Sequence, residues 1–156
     1  MRTIEGFHRD EAGDWIAELS CLHGQHVRHR PPFWERPWVT DATGRAAHLG
    51  SALDCPLCDR AELPDGLVVA RVAGPFDAAT LPAGLRRDHR VADGTWARVR
   101  VEEGAVRLTI DTEPPINRLV TEGEEQPIPP AVAHAVHPNG DFRLVVEFLV
   151  PQGVLR

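Results

Sequence analysis

From residue 66 onward the chain is written in short runs in which apolar and polar residues alternate, separated by Gly and Pro. A period of two turns one face of an extended strand toward a core and the other toward water, and a helix cannot use it. GLVVARVA, TWARVRV, AVRLTI, AVAHAVH and DFRLVVEFLV read as strands, LRRDHRV and NRLVT as two more, and EEG and HPNGD as turns. Strands at about ten-residue spacing, with almost no helical periodicity, fit a sandwich or a barrel. In a segment of roughly 90 residues a small closed barrel is favoured, because closure leaves no exposed edge.

Before residue 60 the texture differs. All three cysteines, Cys21, Cys55 and Cys58, lie there with five of the eight histidines. The expected organisation is a small Cys/His module over residues 1–62 and a β-rich domain over 67–156, meeting near RAELPDG, residues 60–66. In the module, RTIEGF and DWIAELSC read as strands of a hairpin around RDEAGD. TDATGRAAHLGSAL reads as a short helix with Thr40 or Asp41 as its N-cap, and DCPLCD as a tight turn. The fold class is therefore mainly β, with a zinc-ribbon-like α+β module in front.

Hydrophobic content of 42% and charged content of 26% are those of a globular protein. No apolar run approaches the roughly 20 residues of a membrane span, and MRTIEGFHRD lacks the apolar stretch of a secretory signal. A cytoplasmic protein with no membrane partner is the expectation. The formal net charge is -6, and all 17 basic residues are arginine. That balance argues against a nucleic-acid footprint, which wants a basic face. An odd number of cysteines makes a poor disulfide framework and a better metal site or redox pair.

CPLC is a C-x-x-C turn whose two thiolates can face one ion. Zinc takes four tetrahedral Cys or His ligands in closed structural sites. Cys55 and Cys58 supply two, and Cys21 with one histidine completes the set. If residues 20–24 continue a strand, Cys21 and His23 share a face; His26 reaches the same point only if the chain turns at Gly24. The expected zinc ligands are Cys21, His23, Cys55 and Cys58, with His26 as the substitute. A module this small gains much from such a staple. Two blander readings stand beside it: free buried cysteines with solvated histidines, or a redox pair, which expects a long helix that LDCPLCDRAELP does not offer. Beyond His29, Pro31 and Pro32 impose extended backbone. Trp34 and Trp38 are expected to pack on the hairpin and Trp15. The alternative use of this stretch is a single-stranded nucleic-acid surface of Arg28, Arg30, Trp34 and Arg36.

The segment GFHRDEAGDWIAELSCLHGQHVRHRPPFWERPWV, followed by GR and LDCPLC, resembles a small bacterial family with no assigned activity. Its pattern is G-F-x-x-D…D-W-x-A-x-L-x-C-x-H-x-Q-H-x-R-H-x-P-P…R-P-W-V and a closing C-x-x-C, matched over residues 6–58. One departure is Leu22, where the family usually has glycine.

The second part offers His89, His134, His137 and Glu147. Alternation puts His134 on a face with Val132 and Val136, and Glu147 on a face with Val145 and Leu149. A buried ionisable group on an apolar face needs a partner or a metal. His137 lies on the opposite face. Two histidines and a carboxylate converging in a barrel suit a divalent metal with open positions; a metal-free His134–Glu147 hydrogen bond is the alternative.

LPAGLRRDHRVADGTWARVRVEEGAVRLTI followed by PIPPAVAHAVHPNGDFRLVVEFLVP resembles the small cupin family that includes the YeaR proteins and the N-terminal domain of some TehB tellurite-resistance proteins, over about residues 75–151. The landmarks are His89 before Gly94 and Thr95, Trp96 and Arg98, Gly104, the Pro129–Pro130 lead-in to His134, and Glu147 before Phe148. The resemblance implies a cupin-like β-barrel (jelly roll) with His89, His134 and Glu147 as metal-binding residues and Trp96 and Arg98 in the pocket. The implied ion is zinc, iron or manganese. The first motif has no H-x-H pair, a departure that weakens oxygenase chemistry. With no G-x-G-type cofactor loop, methyltransferase activity is not implied.

Three functional readings follow. The first is an accessory stress protein, a zinc module fused to a metal-binding cupin that senses or sequesters tellurite, another small oxyanion or a metal. Arg87, Arg90 and Arg98 would draw a small anionic ligand to the pocket. The second is a metal-dependent cupin enzyme of oxygenase or isomerase type. The third is a nucleic-acid-binding zinc module with a cupin sensor. Cupins commonly dimerise through edge strands, so a homodimer belongs among the expectations.

Overall fold

In the computed structural model, residues 2–27 and 36–153 are described. His29, Arg28, Arg30, Pro31, Pro32 and Trp34 lie outside them. The chain divides into two compact units, Met1–Cys55 and Pro56–Arg156.

The first unit carries β1 (Arg2–Arg9), β2 (Trp15–Leu19), β3 (Gly24–His26), α1 (Ala42–His48) and β4 (Ala52–Leu53). They form one antiparallel sheet in the order β3-β2-β1-β4. The expected hairpin is present, with Arg9 opposite Trp15. Its turn is held by Asp10, whose carboxylate accepts from Asp14 N at 2.9 Å. Such a side-chain contact to the backbone is why Asp favours turns. The expected helix is present too. Asp41 is its N-cap and accepts from Gly44 N at 2.7 Å, satisfying a donor the helix cannot. Trp38 packs edge-on against Phe7 of the hairpin and stacks on His48 of α1 at 3.7 Å. Trp15 lies beneath the guanidinium groups of Arg45 and Arg9. The tryptophans of the described stretch are packing groups.

The second unit opens with a single helical turn, α2 (Pro56–Asp59), where a tight turn was expected. It continues with β5 (Leu67–Phe76), β6 (Trp96–Ile110), β7 (Ile116–Thr121), β8 (Glu125–Ile128) and β9 (His134–Pro151). The sheet order is β5-β9-β6-β7, with β8 pairing the first part of β6 along the edge that β7 takes further on. This is a half-barrel built on one long bent ribbon, β6 against β9, with Trp96 opposite Leu149 at one end and Ile110 opposite His134 at the other.

The ribbon corrects the strand list. TWARVRV and AVRLTI are one strand, as are AVAHAVH from His134 onward and DFRLVVEFLV. EEG and HPNGD are irregularities inside the ribbon, where the register shifts between Val101/Glu103 and Gly104/Val106. Bulges admit extra residues without ending a strand, and they bend it. Gly104 marks the bend: its φ is 72°, and a Cβ there would run into the Asp141 carbonyl. The bulges also switch which parity faces inward. Ala97, Val99 and Val101 are buried before them, and Val106, Leu108 and Ile110 after. LRRDHRV is not a strand: it begins at the end of a 3-10 turn, Ala83–Arg86, and makes a lone bridge at His89. β8 escaped notice because its four residues, EQPI, include a proline and are too short to show alternation. The core joins both halves of the ribbon, with Val99, Leu108, Val136 and Leu144 among its buried members. Among the described residues no helix is long and apolar enough to cross a membrane.

Candidate functional site

Cys21 and His23 sit on the loop between β2 and β3. That hairpin is closed by Leu19 N donating to His23 O at 3.0 Å and Leu22 N donating to Leu19 O at 2.8 Å. The loop turns through Leu22 at φ 75°, the left-handed region that favours glycine. The position where this chain departs from the family pattern is therefore the one that turns the chain between two ligands. Cys55 follows β4, and Cys58 lies in α2. All four side chains are buried, and their ligand atoms lie within 4.8 Å of one another. Cys21 Sγ is 3.7 Å from Cys55 Sγ, and His23 Nδ1 is 3.3 Å from Cys21 Sγ and 3.4 Å from Cys55 Sγ. A zinc tetrahedron with Zn–S legs of about 2.3 Å and a Zn–N leg of about 2.0 Å has edges of roughly 3.5–3.8 Å. Three soft thiol donors, one imidazole, four-coordination and burial are what a structural zinc requires, so the residues fit the ion.

The protonation chemistry agrees. Burial by itself pushes the His23 pKa down, but its hydrogen bonds and charge interactions with Cys21 and Cys55 outweigh it and raise the value to about 10. Without an ion, this site holds protons that a bound dication would displace. His26, the substitute ligand, is not part of the group. It faces Asp10 across 3.6 Å, beside Asp14.

In the second unit, His89 and His134 are brought together. Their backbones exchange two hydrogen bonds, His89 N to His134 O and His134 N to His89 O, each 2.9 Å. Ala131 N to Val91 O at 2.8 Å extends the clamp. The rings meet edge-on with centroids 5.2 Å apart. Both line a cavity of about 600 Å3 whose walls are mostly apolar, among them Ala97, Val99, Ile128, Leu144, Val146 and Phe148. The Nδ1 atoms of His89 and His134 are buried with no protein partner. Burial, reinforced by the neighbouring His89 and opposed in part by the Val132 backbone, lowers the His134 pKa to about 4, so its ring is neutral near pH 7.

Glu147 does not join them. It lies on the other face of β9, bound to Arg98 at 3.1 Å and Arg100 at 3.1 Å. Trp96 and Arg98 share that face, and neither lines the cavity. The reason is strand parity. β9 is one strand from His134 to Pro151, and its even positions face the cavity, so an odd-numbered Glu147 turns away. Reading two separate strands concealed this. No third Cys, His, Asp or Glu among the described residues groups with His89 and His134 as a metal site. His137 lies on the outer side and contacts Thr109 at 3.1 Å. Most of the lining was not assigned from the sequence, including Arg71, stacked 4.3 Å over the Phe148 ring, and Phe148 itself. The even-position alternation of Leu144, Val146 and Phe148 was the available signal.

Residues 72–146 match the TehB-like domain. Residues 5–62 match a family described as a protein of unknown function (DUF3565). Both resemblances read from the sequence are thereby borne out. A crystal structure of a protein from E. coli (strain K12) is similar at 21% identity, over 58% of this chain and 96% of that one, with a TM-score of 0.52. TehB from Haemophilus influenzae is similar at 20% identity, over 56% of this chain and 32% of that one, with a TM-score of 0.50. At such identities the likeness establishes the fold of the second unit. No curated protein matches the chain.

Proposed function

We propose that the TehB-like half is a receptor for a small molecule, and that it acts by sensing or sequestering that ligand. The observation that carries this reading is the apolar cavity of about 600 Å3 with the paired imidazoles of His89 and His134 set into its wall. Ligand cavities are typically about 300–1,000 Å3, apolar, with a few polar groups that fix orientation. Small oxyanions such as tellurite, and metals, are the ligands suggested by the resemblance to TehB-type domains. The Cys/His cluster serves this receptor as a structural zinc site that stabilises the N-terminal module.

A metal-dependent reaction is the second reading, favoured by the paired imidazoles. With Glu147 turned away, an ion there would be held by His89 and His134 and would take its remaining ligands from water or the small molecule itself. The ion would supply Lewis acidity, while the apolar wall would exclude bulk water from whatever it binds.

The test is metal content and ligand response in the same preparations. Wild type, Cys58→Ser and His134→Ala are purified without chelators. Their zinc, iron and manganese contents are measured with melting curves in tellurite, nitrite and a panel of small carboxylates. One zinc lost in Cys58→Ser, and a ligand-induced stabilisation lost in His134→Ala, are expected. A second equivalent of iron or manganese that depends on His134 favours the enzyme. Stabilisation by ligand that survives His134→Ala contradicts the receptor reading.

A further inference from the structure

We propose that the ligand of the TehB-like half is an anionic amphiphile, a medium-chain carboxylate or its chemical equivalent, with its tail in the apolar cavity and its head among arginines at the mouth. This deepens the receptor reading and rests on it. Beside the main cavity lies a second, more open depression of about 500 Å3, lined by Ala83, Gly84, Arg87, Asp88, His89 and Arg90. Gly84, His89 and Arg90 line both. The two spaces are therefore adjacent, the first walled mainly by apolar side chains and the second carrying Arg87, Asp88 and Arg90, with His89 lining both.

The charges of the two linings oppose those of the whole chain. The protein carries a formal net charge of -6, yet the two linings hold Arg71, Arg87 and Arg90 against Asp88 alone. Local excess of one sign concentrates ligands of the other. Arg90 spends one N–H on Ala131 O at 2.9 Å. A guanidinium has five N–H donors in a fork that matches a carboxylate, so the remaining ones suit a planar anion. Deeper in, Val99, Ile128, Leu144 and Val146 offer contact to methylene groups and nothing to a charge. A small inorganic anion would leave most of that volume unfilled, and an uncharged hydrocarbon would make no use of the arginines. A molecule with both parts uses both.

The experiment is calorimetric titration of the full chain with hexanoate, octanoate and decanoate below their micellar concentrations, with decanol and decyltrimethylammonium as charge controls. Each added methylene is expected to tighten binding about fourfold, as burial of a CH2 predicts. Decanoate is expected to bind about fivefold or more tighter than decanol. Arg87→Ala/Arg90→Ala, two exposed positions whose loss leaves the core intact, is expected to remove that difference while leaving decanol unchanged. Equal affinity for decanoate and decanol in wild type overturns the assignment of the head and leaves the cavity reading standing. Affinity that does not rise with chain length overturns the tail assignment. Failure of all five probes, while tellurite or nitrite is bound through His134, overturns the amphiphile and keeps the receptor. Failure of every ligand overturns both.

Discussion

If the Cys/His cluster holds zinc, chelation or Cys55→Ser should lower the melting temperature. Four donors lie within 4.8 Å of one another and are buried, with edges of 3.3–3.7 Å between Cys21, His23 and Cys55. An ion that binds only the folded state stabilises it by about 4 kcal/mol when free metal exceeds the dissociation constant a thousandfold. For a module of roughly 60 residues each kcal/mol moves the melting temperature by about 4–8 °C, so chelation should lower it by about 15–30 °C. Acid acts in the same direction. A metal must displace the proton that His23 holds up to about 10 in the metal-free cluster, and those of the thiols, so apparent zinc affinity falls as pH drops from 8 to 6. The assay is thermal denaturation followed by circular dichroism in wild type, wild type with excess chelator, the same sample with zinc restored, and Cys55→Ser with and without zinc. The expected pattern is a drop on chelation, recovery with zinc, and a low, largely zinc-insensitive transition in Cys55→Ser. Wild type that melts at one temperature with or without chelator, or Cys55→Ser that melts with wild type, contradicts a metal-stapled module.

Three further outcomes are expected. His134 is held at about 4 by burial against an ordinary 6.5, so between those values the unfolded chain binds a proton that the folded chain refuses. Its contribution is complete above about pH 6.5 and is lost as pH falls through 4. It is worth about 3 kcal/mol over that span, and urea midpoints at pH 7 and pH 4.5 should fall more steeply in wild type than in His134→Leu. Equal slopes contradict it. Glu147→Gln removes the buried carboxylate that Arg98 and Arg100 share, leaving them Glu125, and should cost about 1–3 kcal/mol in chemical denaturation, yet leave ligand binding at His134 unchanged. A binding defect would place Glu147 back at the cavity. Leu22→Gly relieves a left-handed residue at φ 75°, a strain of about 1–2 kcal/mol offset by about 0.5–1 kcal/mol of added chain entropy. A net gain of up to about 1 kcal/mol in the metal-free protein is expected, and a loss of that size tells against strain at this turn.

Much of this molecule was legible because its signals are local. The β1–β2 hairpin announces itself through an Asp/Gly turn between alternating runs, and α1 through Asp41 standing before a polar helix. The meeting of Cys21 and His23 follows from two residues sharing one side of a hairpin end. What escaped depends on register across the sheet. Glycine and proline usually end strands, so HPNGD and EEG read as turns, but here they are bends in a ribbon whose other strand supplies the missing hydrogen bonds. That one error doubled the strands, reset the parity count and turned Glu147 toward a cavity it faces away from. The pairing of His89 with His134 joins residues 45 positions apart, and only the family resemblance, not the periodicity, pointed to it.

Ligand binding at the His89–His134 pair is the proposed role of the second unit. The most direct measurement is the ring 15N spectrum of His134, assigned by its loss in His134→Ala, recorded at pH 7 with and without the ligand that most raises the melting temperature. A neutral imidazole whose nitrogen resonances move on saturation is expected. An imidazolium at pH 7, or rings that stay unmoved while the ligand is bound, contradicts it.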